Sequence, residues 1–320
     1  MGAHLVKELL ALGHTVVALD DLSGGFRDQV DPRAHFVQGS INDNALIEAM
    51  FEKHRFTYVY HLAAYAAEGL SHFIRHFNYT NNLLGSVNLI NASVRHGVEC
   101  FVFTSSIAVY GALEPPMRED MPPRPEDPYG VAKLAVEMDL RAAHHMFGLP
   151  YVVFRPHNVY GEYQNIGDRY RNVVGIFMNQ LMQGKPLSVF GDGEQKRAFS
   201  YVGDIAPIMA RCVDVKEAHG EVFNIGADTP YTVNQLAGAV MEAMGVKGEL
   251  LHVEARNEVV HAWSDHGKVK RVFGDAPATP LVEGLARMAA WARSTGARQS
   301  KAFGHIEITE KLPPFWSKQG

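Results

Sequence analysis

Short apolar runs and longer stripes with helical spacing take turns along this chain. Leu5, Val6, Leu9 and Leu10 recur on one face and predict a first helix, with Gly13 as its stop. Residues 15–19 then make a compact apolar strand that ends at Asp20 and Asp21. The alternation continues with a strand at 35–38, a helix over 44–53, a strand at 57–64 and a long helix over 73–96. Residues 101–103, 151–154 and 222–226 read as further strands. Helices are predicted over 128–146, 172–182, 232–244 and 281–293, with a short strand and turn at 185–193. Strand and helix alternating in this way predict an α/β fold with a doubly wound, mostly parallel sheet. Residues 162–172, rich in Gly, Asp, Arg and Asn, interrupt the pattern and predict a boundary. A first domain over 1–161 and a smaller α/β domain over 162–320 are expected, with about 198–226 crossing back to the first.

Composition narrows the function. A chain of 320 residues with 47% hydrophobic content has apolar mass for one large or two modest cores. A net charge of -5 and a pI near 6.3 leave no basic footprint for nucleic acid. Two cysteines, Cys100 and Cys212, make no disulfide framework and imply a reducing compartment. No apolar window reaches membrane-spanning length and no secretory leader opens the sequence, so a cytoplasmic protein is expected. None of the 16 histidines falls in a ligand-spaced motif, so no metal is expected.

The candidate chemistry is concentrated in residues 101–133. The buried strand at 101–103 runs out into Thr104, Ser105 and Ser106, and open α/β sheets bind ligands at such strand ends. Tyr129 and Lys133 lie four apart at the start of a helix and share one face. An ammonium beside a phenol favours the phenolate, so Lys133 is expected to lower the pKa of Tyr129. Serine, tyrosine and lysine together can move a proton off a substrate hydroxyl. Tyr-x-x-x-Lys alone arises by chance about once in a chain of this length. The strand, the serines and the helix start supply the specificity.

Ser106, Val109-Tyr110-Gly111 and Tyr129-x-x-x-Lys133 resemble the extended short-chain dehydrogenases/reductases, in particular the NAD-dependent nucleotide-sugar epimerases and dehydratases of UDP-glucose 4-epimerase type. The resemblance covers nearly the whole chain. It implies a Rossmann-type fold, NAD as cofactor, and Ser106, Tyr129 and Lys133 as catalytic residues. It also implies cofactor contacts from Gly2, Asp20, Asp21, Ser40, Ile41, Ala63, Ala64, Tyr65, Asn81, Tyr129, Lys133 and Pro156. The chain departs from the family at three places. It begins at what matches the last glycine of the phosphate-binding motif, Gly2, so a first central strand and two glycines are missing. Ser40 stands where an adenine-binding aspartate is usual, and Ala66 where 4-epimerases carry a lysine. Exposed sheet edges and a weakened phosphate site are expected. Either the chain belongs to a longer one, the reading preferred here, or it is a cofactor-poor homologue.

For the substrate, the resemblance implies contacts from Ser106, Asn158, Asn172, Ser188, Phe190, Arg197, Arg256, Glu258 and Ala262. Arg197 and Arg256 would converge on a diphosphate, which suits guanidinium geometry. Ser188 and Phe190 would offer backbone groups to uracil, and Glu258 would take the uridine ribose. Ala262 would leave room beside the sugar's 2-substituent, so N-acetylated sugars are expected as well as plain hexoses. The implied reaction is C4 epimerisation of a UDP-sugar through a 4-keto intermediate, in a homodimer. Ile107 and Ala108 fill the two slots after Ser106 where elimination enzymes of the group place acids, and neither can transfer a proton. Another nucleotide-sugar oxidoreductase or dehydratase, or a non-catalytic nucleotide-binding homologue, is the alternative.

Overall fold

The leading apolar stripe becomes helix α1 (Gly2–Ala11), which buries Leu5 and Leu9. The chain is described here from a computed structural model covering residues 1–256, 258–275, 278–299 and 303–317. Strand β1 (Val17–Asp20), β2 (His35–Gln38), helix α2 (Asn44–His54) and β3 (Tyr58–His61) follow. Asp43 caps α2 by accepting the Leu46 N–H at 3.0 Å. Next come α3 (Glu68–Ser71), α4 (Arg75–Tyr79), α5 (Gly85–Arg95), β4 (Cys100–Thr104), α6 (Pro128–Phe147) and β5 (Tyr151–Pro156). The later elements are β6 (Val159–Tyr160), α7 (Val173–Met182), β7 (Leu187–Phe190), β8 (Lys196–Ala198), β9 (Ser200–Tyr201), α8 (Val202–Arg211) and β10 (Glu221–Ile225). The chain ends through β11 (Pro230–Thr232), α9 (Val233–Met244), β12 (Leu250–Val253), β13 (His261–Ala262), α10 (Gly267–Phe273), α11 (Leu281–Thr295) and α12 (Pro314–Ser317).

The doubly wound α/β expectation holds. β3, β4, β5 and β10 form one parallel sheet in the order β10-β5-β4-β3. β4 and β5 are buried along their whole length, which explains their unbroken apolar runs. β1 and β2 pair in parallel with each other and, among the described residues, with no other strand. The parallel sheet is therefore in two parts, and residues of both β1 and β3 line the cavity between them. The exposed edges read from the sequence are found at that place. β10 returns residues 221–225 to the first sheet beside β5. A separate apolar core of α7, α9 and α11, with Phe177, Leu236 and Leu285 at its centre, backs the short strands of the later chain.

The single helix expected over 73–96 is interrupted. One π turn, Thr80–Leu84, joins α4 to α5. Inward-facing asparagines accompany it: Asn82 donates to Asn78 Oδ1 at 2.8 Å and to the Tyr65 carbonyl at 3.1 Å, and Asn78 donates to the Pro128 carbonyl at 2.8 Å. π turns of this kind commonly lie at functional sites.

Candidate active site

The start of α6 is fixed from three sides. Asp127 accepts the Gly130 N–H at 2.8 Å and Pro128 occupies the first turn, a favourable combination for starting a helix. Asn78 holds the Pro128 carbonyl, as above. Gly130 packs so closely that a Cβ there would lie 2.6 Å from the Ala108 carbonyl oxygen. That approach seats Tyr129 against the turn Ile107–Tyr110, whose N-cap is Ser106. The Ser106 hydroxyl accepts the Ala108 N–H at 3.1 Å and hydrogen-bonds the Tyr129 phenol.

Behind this face lies a buried ion pair. Arg155 donates to Glu137 through Nε at 2.9 Å and Nη2 at 2.5 Å, and through Nη1 to the Tyr110 hydroxyl at 2.8 Å. Tyr110 in turn donates to Asn224 at 2.8 Å, and Ser105 donates to Glu137. The network ties α6, β5, β10 and the serine turn into one rigid support.

The electrostatics correct one expectation. Burial, then the nearby Glu68, push the Tyr129 phenol well above its ordinary value, and the Ser106 hydrogen bond only partly opposes them. Burial pushes Lys133 down to about 7. Its Nζ donates to the Thr104 carbonyl at 2.7 Å and lies over the Phe103 ring at 4.7 Å and the Tyr129 ring at 5.8 Å. Lys133 therefore does not hold Tyr129 ionised in this geometry. Desolvation outweighs the charge pairing that the four-residue spacing implied.

A cavity of about 1080 Å³ gathers nearly every candidate. At one end it meets Gly2, Asp20, Asp21, Ser40 and Ile41; Ala63, Ala64, Tyr65 and Asn81 follow, then Ser106, Tyr129, Lys133, Pro156 and Asn158. Asn172, Ser188, Phe190, Arg197, Arg256 and Glu258 line the remainder. Ala262 is the exception. It is buried with Ile107, Val109, Tyr110 and Met117 in a small apolar cluster and does not line the cavity, so the expectation of room for an N-acetyl group loses its basis.

Several substrate-side groups bond within the protein. Arg197 donates to the carbonyls of Lys196 and Val260, at 2.9 and 2.7 Å, and to that of Val259. Arg256 donates to Glu258 Oε2 at 3.0 and 2.8 Å and stacks on the Phe190 ring at 4.6 Å. The Ser188 N–H meets Gln180 Oε1 at 3.2 Å, and Gln195 donates to the Phe190 carbonyl at 3.0 Å. The side-chain amides thus offer these backbone groups the acceptor and donor that uracil was expected to supply. Asn172 stands at the N-cap of α7, but its side chain donates to the Val159 carbonyl and caps nothing.

Three features went unread in the sequence. Glu68 lines the cavity between Tyr129 and the two arginines, at the start of a helix of only four residues that no periodicity reveals. His157 is buried at the end of β5, with Nδ1 3.0 Å from the Ala198 carbonyl and Nε2 3.1 Å from His266 Nε2. His266 Nδ1 lies 2.6 Å from Asp228, so Asp228, His266 and His157 form a chain that ends on the Ala198 carbonyl of β8, the strand bearing Arg197. In the tail, Trp316 packs edge-on to Tyr170 and Phe190, backing Arg256. Among the described residues no group of three or more potential ligands is placed to hold a metal, and no helix is long and apolar enough to cross a membrane.

The cavity suits a dinucleotide. Asp20 and Asp21 follow a parallel strand, small Ala63 and Ala64 follow β3, and nothing lies within 4 Å of where a Gly2 Cβ would sit at the first turn of α1. Acid, small residues and a helix N-terminus are what ribose and pyrophosphate require. Residues 1–226 match the model of the NAD dependent epimerase/dehydratase family. The chain belongs to that family. It is 31% identical over 299 residues to a putative UDP-glucose 4-epimerase of Methanocaldococcus jannaschii, covering 92% of this chain and 95% of the relative. A UDP-glucuronate 4-epimerase of Thermodesulfobacterium geofontis is 28% identical, covering 92% of each. The solved UDP-glucose 4-epimerase of Thermotoga maritima with UDP-glucose superposes with a TM-score of 0.85 at 34% identity, over 92% of this chain and 96% of the other. The protein is thus an enzyme of the NAD-dependent nucleotide-sugar epimerase/dehydratase class.

Proposed function

We propose that this family member catalyses C4 epimerisation of a UDP-hexose through a 4-keto intermediate. The observation that carries the reading is the meeting of Ser106 and Tyr129 on a cavity that also takes in Arg197 and Arg256. Ile107 and Ala108 fit an epimerase too: both are buried, outside the cavity lining, and have no proton to give. NAD bound along the cavity supplies the hydride acceptor and donor. Tyr129 acts as the phenolate, the form its burial disfavours, to take the proton of the 4-hydroxyl, and Ser106 hydrogen-bonds the same oxygen. The C4 hydride leaves as that proton leaves, and both return after the 4-keto sugar has turned over, so no net oxidation occurs. Lys133 fixes the Thr104 carbonyl and, with it, the end of β4 beside the reacting oxygen.

Incubating the protein with NAD and UDP-glucose, then resolving the products, tests this reading. UDP-galactose without net NADH is expected; no product, or a 4-keto-6-deoxy sugar, would overturn it. The proposal also includes a cytoplasmic setting, the division near residue 161, and a homodimer. Leu84 before α5, and Val131 and Met138 on α6, are exposed apolar side chains consistent with pairing. Light scattering would check it by returning twice the 35.4 kDa chain mass.

A further inference from the structure

Glu68 stands out among the side chains that line the cavity. Its backbone carbonyl accepts the Ser71 hydroxyl at 2.6 Å, which fixes the turn. Among the described residues, however, nothing donates a hydrogen bond to its carboxyl, which opens onto the cavity. Tyr129 of α6 and its N-cap Asp127, Arg197 of β8, and Arg256 and Glu258 after β12 all interact with it electrostatically. The positive groups are already engaged: Arg256 is paired with Glu258, and Arg197 is held by backbone carbonyls. Glu68 is exposed on the cavity wall, and a carboxyl there without a protein donor is open to a ligand with hydroxyl groups to offer.

We propose that Glu68 is a specificity-determining residue that accepts hydrogen bonds from the hydroxyls of an uncharged hexose and turns hexuronates away. The inference rests on the nucleotide-sugar reading, because that reading places the sugar between Tyr129, at C4, and the arginines, at the diphosphate. The C6 group of a hexose is two bonds from C4, so a C6 carboxylate would enter beside Tyr129, Glu68 and Asp127. A like charge at such a site is an effective way to reject one ligand while keeping another. Desolvation by the protein packed around the cavity wall raises the pKa of Glu68 and of Asp127. Both therefore become fully charged only as the pH passes neutrality, and rejection of the hexuronate should strengthen over the same range.

The test is calorimetric titration of the NAD-loaded protein with UDP, UDP-glucose and UDP-glucuronate at pH 6 and pH 8.5. Wild type and Glu68→Gln are compared. In wild type at pH 8.5, UDP-glucuronate should bind at least about tenfold more weakly than UDP-glucose, with a smaller gap at pH 6. Glu68→Gln should close most of the gap at pH 8.5 while leaving UDP affinity unchanged, which also shows that the variant is folded. Equal or tighter binding of UDP-glucuronate by wild type would overturn the proposal, as would an unchanged ratio in the variant. If UDP itself fails to bind wild type, the nucleotide-sugar reading falls and this inference falls with it. If UDP binds but the ratio is flat, only the role of Glu68 falls.

Discussion

At Lys133 two physical effects of opposite sign compete, and burial is the larger. The ammonium has the Thr104 carbonyl and an aromatic face for company, and its pKa is held near 7. The unfolded chain keeps this lysine charged up to a pKa of about 10.4, so between there and pH 7 the native state binds the proton less well and loses stability as the pH falls. Lys133→Met should therefore lower turnover by about 10²–10⁴-fold while leaving the melting temperature equal or higher. Calorimetry and a product assay on the same preparation check both halves. The spacing of Tyr129 and Lys133 was legible in the sequence because four residues make one helical turn. Their charge states were not, because desolvation depends on what the rest of the chain packs around them. The same limit applies to Ala262, which reads as a small pocket residue and is found in an apolar cluster, and to Glu68, whose role depends on side chains up to 190 positions away in the sequence.

Among the elements, α6 does the positioning, and it does so from its buried face. Glu137, two turns after Tyr129, meets Arg155 of β5 where both are nearly inaccessible, at side-chain exposures of 6% and 5%. Removing one member of a buried pair strands the other charge, at a cost of about 3–5 kcal/mol. Glu137→Ala should destabilise by about that much, and denaturant unfolding would show it as a lower midpoint with little change in slope. Helix starts and buried strands were readable because caps, prolines and apolar runs are local signals. The π turn at 80–84 was not. It depends on Asn78 and Asn82 finding Pro128 and Tyr65, partners that no helical periodicity announces.

Across the whole molecule, the division of the parallel sheet is the dominant feature. β4 and β5 are completely buried, whereas β1 and β2 are half-buried to exposed and, among the described residues, pair only with each other. Hydrogen exchange should therefore release the amides of β1 and β2 well before those of β4 and β5; uniform protection would show the two parts opening as one unit. Alternation of strand and helix made a parallel sheet legible in advance, but not its strand order, which depends on long-range pairing. Buried histidines set the acid side of stability. His61 and His157 are both held neutral, pushed down to about 3 by burial. Below about 6.5 the unfolded chain takes up protons that the native state refuses, so stability is complete above that pH and lost as the pH falls toward 3. Each histidine contributes a slope of about 1.4 kcal/mol per pH unit in that window, and His157→Gln should reduce the slope by one such step in pH-dependent denaturation curves.

The central claim, that one buried phenol beside Ser106 handles the proton of a sugar hydroxyl, is tested most directly by Tyr129→Phe. With NAD and UDP-glucose supplied, the variant should still bind UDP-glucose but lose about 10²–10⁴-fold in turnover. Epimerisation at the wild-type rate by a folded Tyr129→Phe protein would contradict the account.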